Sequence, residues 1–375
     1  MKQFAVTSSP SGQIIGKVTR ITKPTGASRY SIRRLGMHLP YVLCSEEDPR
    51  TGPRTVRYTS DPHLSVGDVL ELSEGHCYVH ISATSNDNCL IVSNECNERC
   101  INCPQLDRTK NPGLPERNTQ LIRLFPKHMQ MVALTGGEPA VDFPELLHVV
   151  RMLALHHPSI HIDVLTNGIA FADLSKAEML ATVLKQEQAT FCITLYGDTP
   201  AIHDAHTQIA GSFAKVNAAL HHLAFFGYTI ELRYLITCMN YERLPSFIEY
   251  AYDNFPFVDH ISIMGMEYCG DAAVNAARLF VACETYTTYL LTAVQKAVMR
   301  DIPVFIYNHQ VCLLPKQLWR FTVASISDWK TGYSPTCEHC DVKGYCGGFF
   351  TTSNPDYIPT NLAPISLDYP LKEEA

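Results

Sequence analysis

Met131-Val132-Ala133-Leu134-Thr135-Gly136-Gly137-Glu138-Pro139 is an apolar run ending in a glycine-rich turn. An amphipathic stretch over 143–155 follows it, and then a second apolar run over 161–165. Strand, turn, helix and strand within ~30 residues make one unit of a parallel α/β sheet. The pattern repeats on both sides. Candidate strands lie at 89–92, 131–134, 161–165, 190–195, 230–236 and 260–264, and candidate helices at 143–155, 174–185, 213–226, 244–254 and 284–300. Six strands alternating with helices predict a parallel sheet with helices covering its faces.

Such sheets carry their chemistry in the loops that follow the strands. Here those loops hold Cys96, Cys100 and Cys103, then Gly136-Gly137-Glu138-Pro139, Thr166-Asn167-Gly168, Tyr196-Gly197-Asp198, Asn240, and Gly265-Met266-Glu267-Tyr268-Cys269. All are polar or glycine-rich, so one active-site mouth accounts for them together.

The flanks read differently. Residues 1–86 are short extended pieces (14–21, 55–59, 69–72) broken by turn signals at 10–12 and 65–68, a small β-rich domain. The sheet core spans 87–300. A Cys-rich extension covers 301–352, opening with an apolar strand at 302–307, and a tail or extended lid covers 353–375.

The chain has 375 residues with 46% hydrophobic and 18% charged, ordinary for a folded protein and too apolar for general disorder. The formal charge of −7 gives no bias toward nucleic acid. The N-terminal stretch is locally basic, with Lys17, Arg20, Lys23, Arg29, Arg33 and Arg34 and no acid before Glu46, and reads as a solvated face or as a surface for an acidic partner. No apolar run reaches the ~18 residues that span a bilayer, and no secretory signal opens the sequence, so a cytoplasmic protein with no membrane partner is expected.

Fourteen cysteines are many for a reducing compartment, where clustered thiols hold metal or do redox chemistry. Seven of them (Cys44, Cys77, Cys89, Cys192, Cys238, Cys269 and Cys283) are scattered and read mostly as small buried apolar residues. Cys96, Cys100 and Cys103 put three thiols within eight residues, spaced x3 then x2. Thiolates suit iron–sulfur clusters and zinc. A four-iron cluster or a closed zinc site takes four ligands, so three leave one metal position open for a reactant. A zinc loop borrowing Cys89 or a histidine is the alternative.

The C-x3-C-x2-C loop after the first strand resembles the radical S-adenosylmethionine superfamily, and Thr135-Gly136-Gly137-Glu138-Pro139 resembles its Gly-Gly-Glu-Pro motif. The family commonly has an aromatic residue before the third cysteine; here it is Asn102. The resemblance implies a partial (β/α)6 TIM-like barrel in which Cys96, Cys100 and Cys103 hold a [4Fe-4S] cluster. The open iron would be chelated by S-adenosyl-L-methionine, whose reductive cleavage gives a 5′-deoxyadenosyl radical. Gly136, Gly137 and Glu138 would bind that cofactor, with Asn167, Thr194 and Arg233 near the ends of strands three to five as further contacts. An electron donor such as flavodoxin or ferredoxin is implied.

Cys337-Glu338-His339-Cys340, Cys346 and the upstream Cys312 give enough thiols for a complete cage. That cage resembles the auxiliary [4Fe-4S] cluster of peptide-modifying relatives. A structural zinc site uses the same ligands, and His339 is an alternative to Cys312.

Cys103-Pro104-Gln105, Leu195-Tyr196-Gly197-Asp198, His203-Asp204, Gly265-Met266-Glu267, Ile306-Tyr307-Asn308-His309, Ser325-Ile326-Ser327-Asp328-Trp329 and Cys346-Gly347-Gly348-Phe349-Phe350 together resemble the radical maturase of the His-Xaa-Ser peptide system. This implies net oxidative modification of a ribosomally made precursor peptide, with a second radical maturase as partner. Glu267 and Cys269 are candidate catalytic residues for moving a proton or hydrogen atom, with ordinary wall residues as the alternative. The pairs His156-His157 and His221-His222 read as solvated. The competing functions are a radical enzyme acting on a nucleotide or small molecule, against which the ending Lys372-Glu373-Glu374-Ala375 counts, and a non-catalytic zinc scaffold.

Overall fold

The computed structural model describes residues 2–8, 13–22, 28–36, 41–49, 54–73, 75–105 and 107–367. The turn expected at 10–12, Lys23 and the last residues, 372–375, lie outside them. The chain divides into two compact units: Met1–Asn94 with Lys110–Asp163, and Glu95–Thr109 with Val164–Ala375.

The first unit begins with seven strands, β1 (Lys2–Ser8), β2 (Ile14–Thr22), β3 (Arg29–Arg33), β4 (Tyr41–Ser45), β5 (Thr55–Tyr58), β6 (Val69–Ser73) and β7 (His76–Ile81). They close into a barrel in the order β1-β5-β4-β3-β2-β6-β7. All described pairings are antiparallel except β4 with β5. Strand alternation sends every second side chain inward. Val18, Tyr30, Ile32, Leu43, Val56, Tyr58, Leu70, Leu72 and Cys77 thereby meet in one core. The β-rich expectation for this region holds, with four strands more than the three pieces read from sequence.

The unit continues with β8 (Cys89–Ser93), α1 (Leu114–Leu124), β9 (Met131–Gly136) and α2 (Phe143–His156). Asp142 caps α2 by accepting from the Glu145 N–H at 3.2 Å. β10 (His161–Thr166) straddles the boundary of the two units.

The second unit carries α3 (Leu174–Ala181), β11 (Ala189–Thr194), α4 (Pro200–Thr207), α5 (Ser212–Phe225), β12 (Thr229–Leu235), α6 (Leu244–Asn254), β13 (His260–Met264), the short α7 (Asp271–Val274) and α8 (Ala276–Leu279), α9 (Cys283–Met299), β14 (Val304–Tyr307) and β15 (Thr322–Val323). β8 to β15 form one sheet in strict chain order. The described pairings are all parallel. The six expected strands are present. The sheet has eight, because 304–307 and 322–323, assigned from sequence to the extension, pair on as two further parallel strands.

Register makes this sheet two-faced. Direct pairing of Cys192 with Glu231 and of Arg233 with Ser262 puts like positions on the same side. One face is apolar and buried: Phe191, Ile193, Ile230, Leu232, Tyr234, Ile261, Ile263, Val304 and Ile306. The other carries Cys192, Thr194, Glu231, Arg233, His260, Ser262 and Tyr307, with Leu235, Met264 and Phe305 among them. Helices supply the apolar cover. α6 buries Leu244, Phe247, Ile248 and Ala251, and α9 buries Tyr286, Leu290, Ala293, Val294 and Ala297. No helix among the described residues is long and apolar enough to cross a membrane.

Two sequence readings are corrected. His157 is buried rather than solvated, because its Nε2 lies 2.9 Å from the Ile122 carbonyl beneath α1; His222 is half-buried, with Nδ1 2.9 Å from the Phe171 carbonyl. Of the seven scattered cysteines only Cys44, Cys77 and Cys192 are buried, while Cys89 and Cys238 are exposed.

Candidate functional site

In the first unit, Gly136 ends β9 at φ +145, and a Cβ there would sit 2.0 Å from the Ser93 carbonyl oxygen. Its freedom thus serves close passage of β8, and the Gly137 N–H donates to that same carbonyl at 2.8 Å. Glu138 is almost fully buried and turns its Oε1 onto the Ala140 N–H at 2.9 Å. Nearby, Glu145 is pushed up to about 7 by burial and by Asp142, a residue that sequence reading did not single out.

In the second unit, the three-cysteine loop is held by its backbone. The Arg99 N–H donates to Thr207 O at 3.0 Å and Ile101 N–H to His206 O at 2.9 Å, both at the end of α4. Cys103 O accepts from Asp271 N–H at 2.9 Å, and Asn275 Nδ2 donates to Ile101 O at 3.0 Å. Gly270 makes the approach possible, since a Cβ on it would meet Cys103 O at 2.8 Å.

Burial pushes the Cys100 thiol well up, followed by the charge of Glu98 and then those of Cys96 and Cys103. Cys96 and Cys103 each add to the forces that disfavour ionisation of Cys100. Among the described residues, no group of three His, Cys, Asp or Glu side chains stands ready-formed around a metal position.

Glu98, between the first two cysteines, is the center of a network the sequence did not reveal. Its carboxylate accepts from Ser212 Oγ at 2.5 Å and from the Cys100 thiol at 3.4 Å. His203 Nε2 lies 3.1 Å from Ser212 Oγ, and His203 Nδ1 accepts from the Tyr196 N–H at 3.2 Å. Nδ1 is thus the unprotonated nitrogen, and Nε2 donates to Ser212. Asp204 caps α5 through the Gly211 and Phe213 N–H groups at 2.7 and 2.8 Å. Asn102 donates to Tyr196 Oη at 3.1 Å, while its own Oδ1 is buried without a protein partner. The Tyr196 ring stacks on His206 at 4.9 Å, so an aromatic group supplied by β11's loop reaches Asn102.

The other sequence candidates are placed as follows. Asn167 donates to Asn97 Oδ1 at 2.7 Å, which ties the loop after β10 to the cysteine segment. Thr194 and Arg233 are direct neighbours on the polar sheet face. Arg233 is held by Glu231 at 3.0 and 2.9 Å. Asn240 bridges the Tyr196 and Leu235 carbonyls, both at 2.9 Å, a structural staple. Glu267 forms an ion pair with Lys330 at 2.8 Å and accepts from Thr352 Oγ1 at 2.5 Å. Cys269 donates to Pro104 O at 3.4 Å, and burial, with Glu267 and Cys103 beside it, pushes its thiol up to about 11.

In the extension, Cys312 is raised first by burial and then by the charges of Cys346 and Cys337. Cys340 Sγ accepts from the Ile365 N–H and Cys346 Sγ from the Gly348 N–H, both at 3.4 Å. The segment expected to be a tail is tied down: Asp341 N–H donates to Ile365 O, and Asn354 N–H to Tyr268 O, both at 2.9 Å. It roofs a cavity of about 370 Å³ lined by Tyr268, Tyr286, Asn308, His309 and Tyr357.

No family model matches the chain, and no curated protein matches it. Among solved structures it is similar to Streptococcus suis SuiB bound to precursor peptide SuiA, at 15% identity over 59% of this chain and 48% of that one, TM-score 0.46. It is also similar to anSMEcpe with bound AdoMet, at 17% identity over 58% of this chain and 63% of that one, TM-score 0.45. A third is the radical S-adenosylmethionine methyltransferase TsrM from Kitasatospora setae, at 11% identity over 48% and 36%, TM-score 0.36. Each match spans less than two thirds of the neighbour's own chain.

Proposed function

We propose that this chain is a radical S-adenosylmethionine enzyme that oxidatively modifies a ribosomally made peptide of the His-Xaa-Ser type. The observation that carries the reading is the Cys96, Cys100 and Cys103 loop, which follows the first strand of a parallel sheet and whose backbone is held by the end of α4 and by Asp271. Three soft donors with no fourth in the loop fit a [4Fe-4S] cluster that keeps one iron for S-adenosylmethionine. When bound, the cluster supplies the electron that cleaves the sulfonium.

The chain's own residues do the rest. The α4 end and Asp271 fix the loop backbone, and Arg233 with Thr194 offers polar contacts on the sheet face. Glu138 is the candidate for the cofactor's ammonium group. Cys312, Cys337, Cys340 and Cys346 are read as ligands of an auxiliary [4Fe-4S] cluster, the feature that favours net oxidation. The charges of Cys346 and Cys337 felt by Cys312, and the N–H donors to Cys340 and Cys346, support sulfur ligation.

The test is anaerobic reconstitution with iron, sulfide and zinc analysis, followed by reduction in the presence of S-adenosylmethionine. Two four-iron clusters per chain and release of 5′-deoxyadenosine are expected. Stoichiometric zinc without labile sulfide, and no 5′-deoxyadenosine, would establish the scaffold instead.

A further inference from the structure

We propose that the N-terminal barrel carries a docking surface for an acidic peptide segment, built from Lys17, Arg33 and Arg34. Lys17 on β2 stands directly opposite Arg33 on β3. Like charges in that relation destabilise an antiparallel pair. Both line a cavity of about 520 Å³ with Arg34, Thr19, Leu35, Gly36 and Leu124. No carboxylate lines it among the described residues.

Four of the barrel's acids are engaged elsewhere, and neither Glu46 nor Glu47 lines the cavity. Asp48 pairs with Arg29, Asp61 accepts from Tyr30 and Ser28, Asp68 from Ser65 and Ala83, and Glu71 binds His80. Lys17 does donate to the Phe125 carbonyl at 3.3 Å, which settles one of its hydrogens but none of its charge. Burial, then Lys127, lowers its pKa, and among the described residues the cavity lining offers it no counter-charge.

The occupant follows from the lining. Among the described residues, no aromatic ring lines the cavity for a nucleobase to stack on. Leu35, exposed, and Leu124 give apolar walls beside the cations, which suits carboxylates interspersed with aliphatic side chains. The barrel is closed, so it offers no free sheet edge for backbone pairing, and recognition must run through side chains. The inference rests on the reading of the substrate as a peptide.

The experiment is fluorescence anisotropy on the full chain with fluorescein-labelled Glu-Leu-Glu-Glu-Leu-Glu, with labelled oligo-dT in parallel. The peptide should bind, more weakly as salt rises, and bind better than oligo-dT. Arg33→Glu/Arg34→Glu should weaken it at least ~10-fold, Arg33→Gln/Arg34→Gln less, and the exposed Lys185→Glu in the other unit not at all. Failure of the peptide to bind, equal or tighter binding of oligo-dT, or an unchanged affinity in the Arg33/Arg34 variants would overturn the proposal. The same variants are assayed for 5′-deoxyadenosine. A positive cleavage assay without peptide binding sinks the docking surface alone. Peptide binding without cleavage in the reconstituted wild type sinks the enzymatic reading and leaves the surface standing.

Discussion

Glu231 and Arg233, two residues apart on β12, form a two-point ion pair on the polar face of the sheet, with Nε 3.0 Å from Oε1 and Nη2 2.9 Å from Oε2. The carboxylate is held down to about 2, against its burial, by the charge and hydrogen bonds of Arg233. Glu231→Gln should destabilise the protein by ~1–3 kcal/mol, because it leaves the half-buried Arg233 guanidinium without its counter-charge. Urea titration measures this. The depressed value means the wild-type pair contributes fully above pH ~4.5 and is lost as pH falls toward 2. The variant should lack that part of the acid limb.

His203 and His309 are both lowered to about 4 by burial. An unfolded chain takes up these protons near pH ~6.5, so stability is complete above that value and declines as pH falls toward 4. Imidazole resonances followed by NMR from pH 8 to 5 should show two rings that do not titrate. Ordinary titration of both near 6.5 would contradict their placement.

Gly136→Ala should be among the most damaging single-methyl changes in the chain. It combines a positive φ with a Cβ 2.0 Å from the Ser93 carbonyl oxygen. Backbone strain and overpacking each contribute ~1–3 kcal/mol, so a loss of about 3 kcal/mol or more is expected by chemical denaturation. Gly344→Ala, where a Cβ would meet nothing within 4 Å, is the control.

Cys100→Ala should abolish 5′-deoxyadenosine while leaving far-UV circular dichroism unchanged, since the loop backbone is held by Thr207, His206 and Asp271 rather than by the thiol. Cys340→Ala should spare cofactor cleavage and stop peptide modification. Retained modification would remove any obligatory role for the second cluster.

The positions of six strands of the parallel sheet and of five helices were legible because parallel strands are long apolar runs and their helices are strongly amphipathic. β15 was not, since two residues carry no periodicity, and β14 was read as a strand but not as part of this sheet. α1 and α4 each begin with a proline in the first turn and carry many polar residues, which hid them. At the site, the cysteine clusters announce themselves by spacing. Glu98, Ser212 and His203 do not, because their network joins residues up to 114 positions apart. Glu231 and Arg233 sit in a visible i, i+2 alternation, yet only the register shows that Cys192 and Ser262 share their side.

Gly270 and the α4 terminus have a consequence for handling the protein. Folding has already met the ordering cost of the Cys96–Cys103 backbone, so on the proposed reading loss of a cluster leaves a held backbone, with only side chains left to gather around the metal. Oxygen-damaged material should therefore recharge with iron and sulfide under native conditions, without a denaturation step.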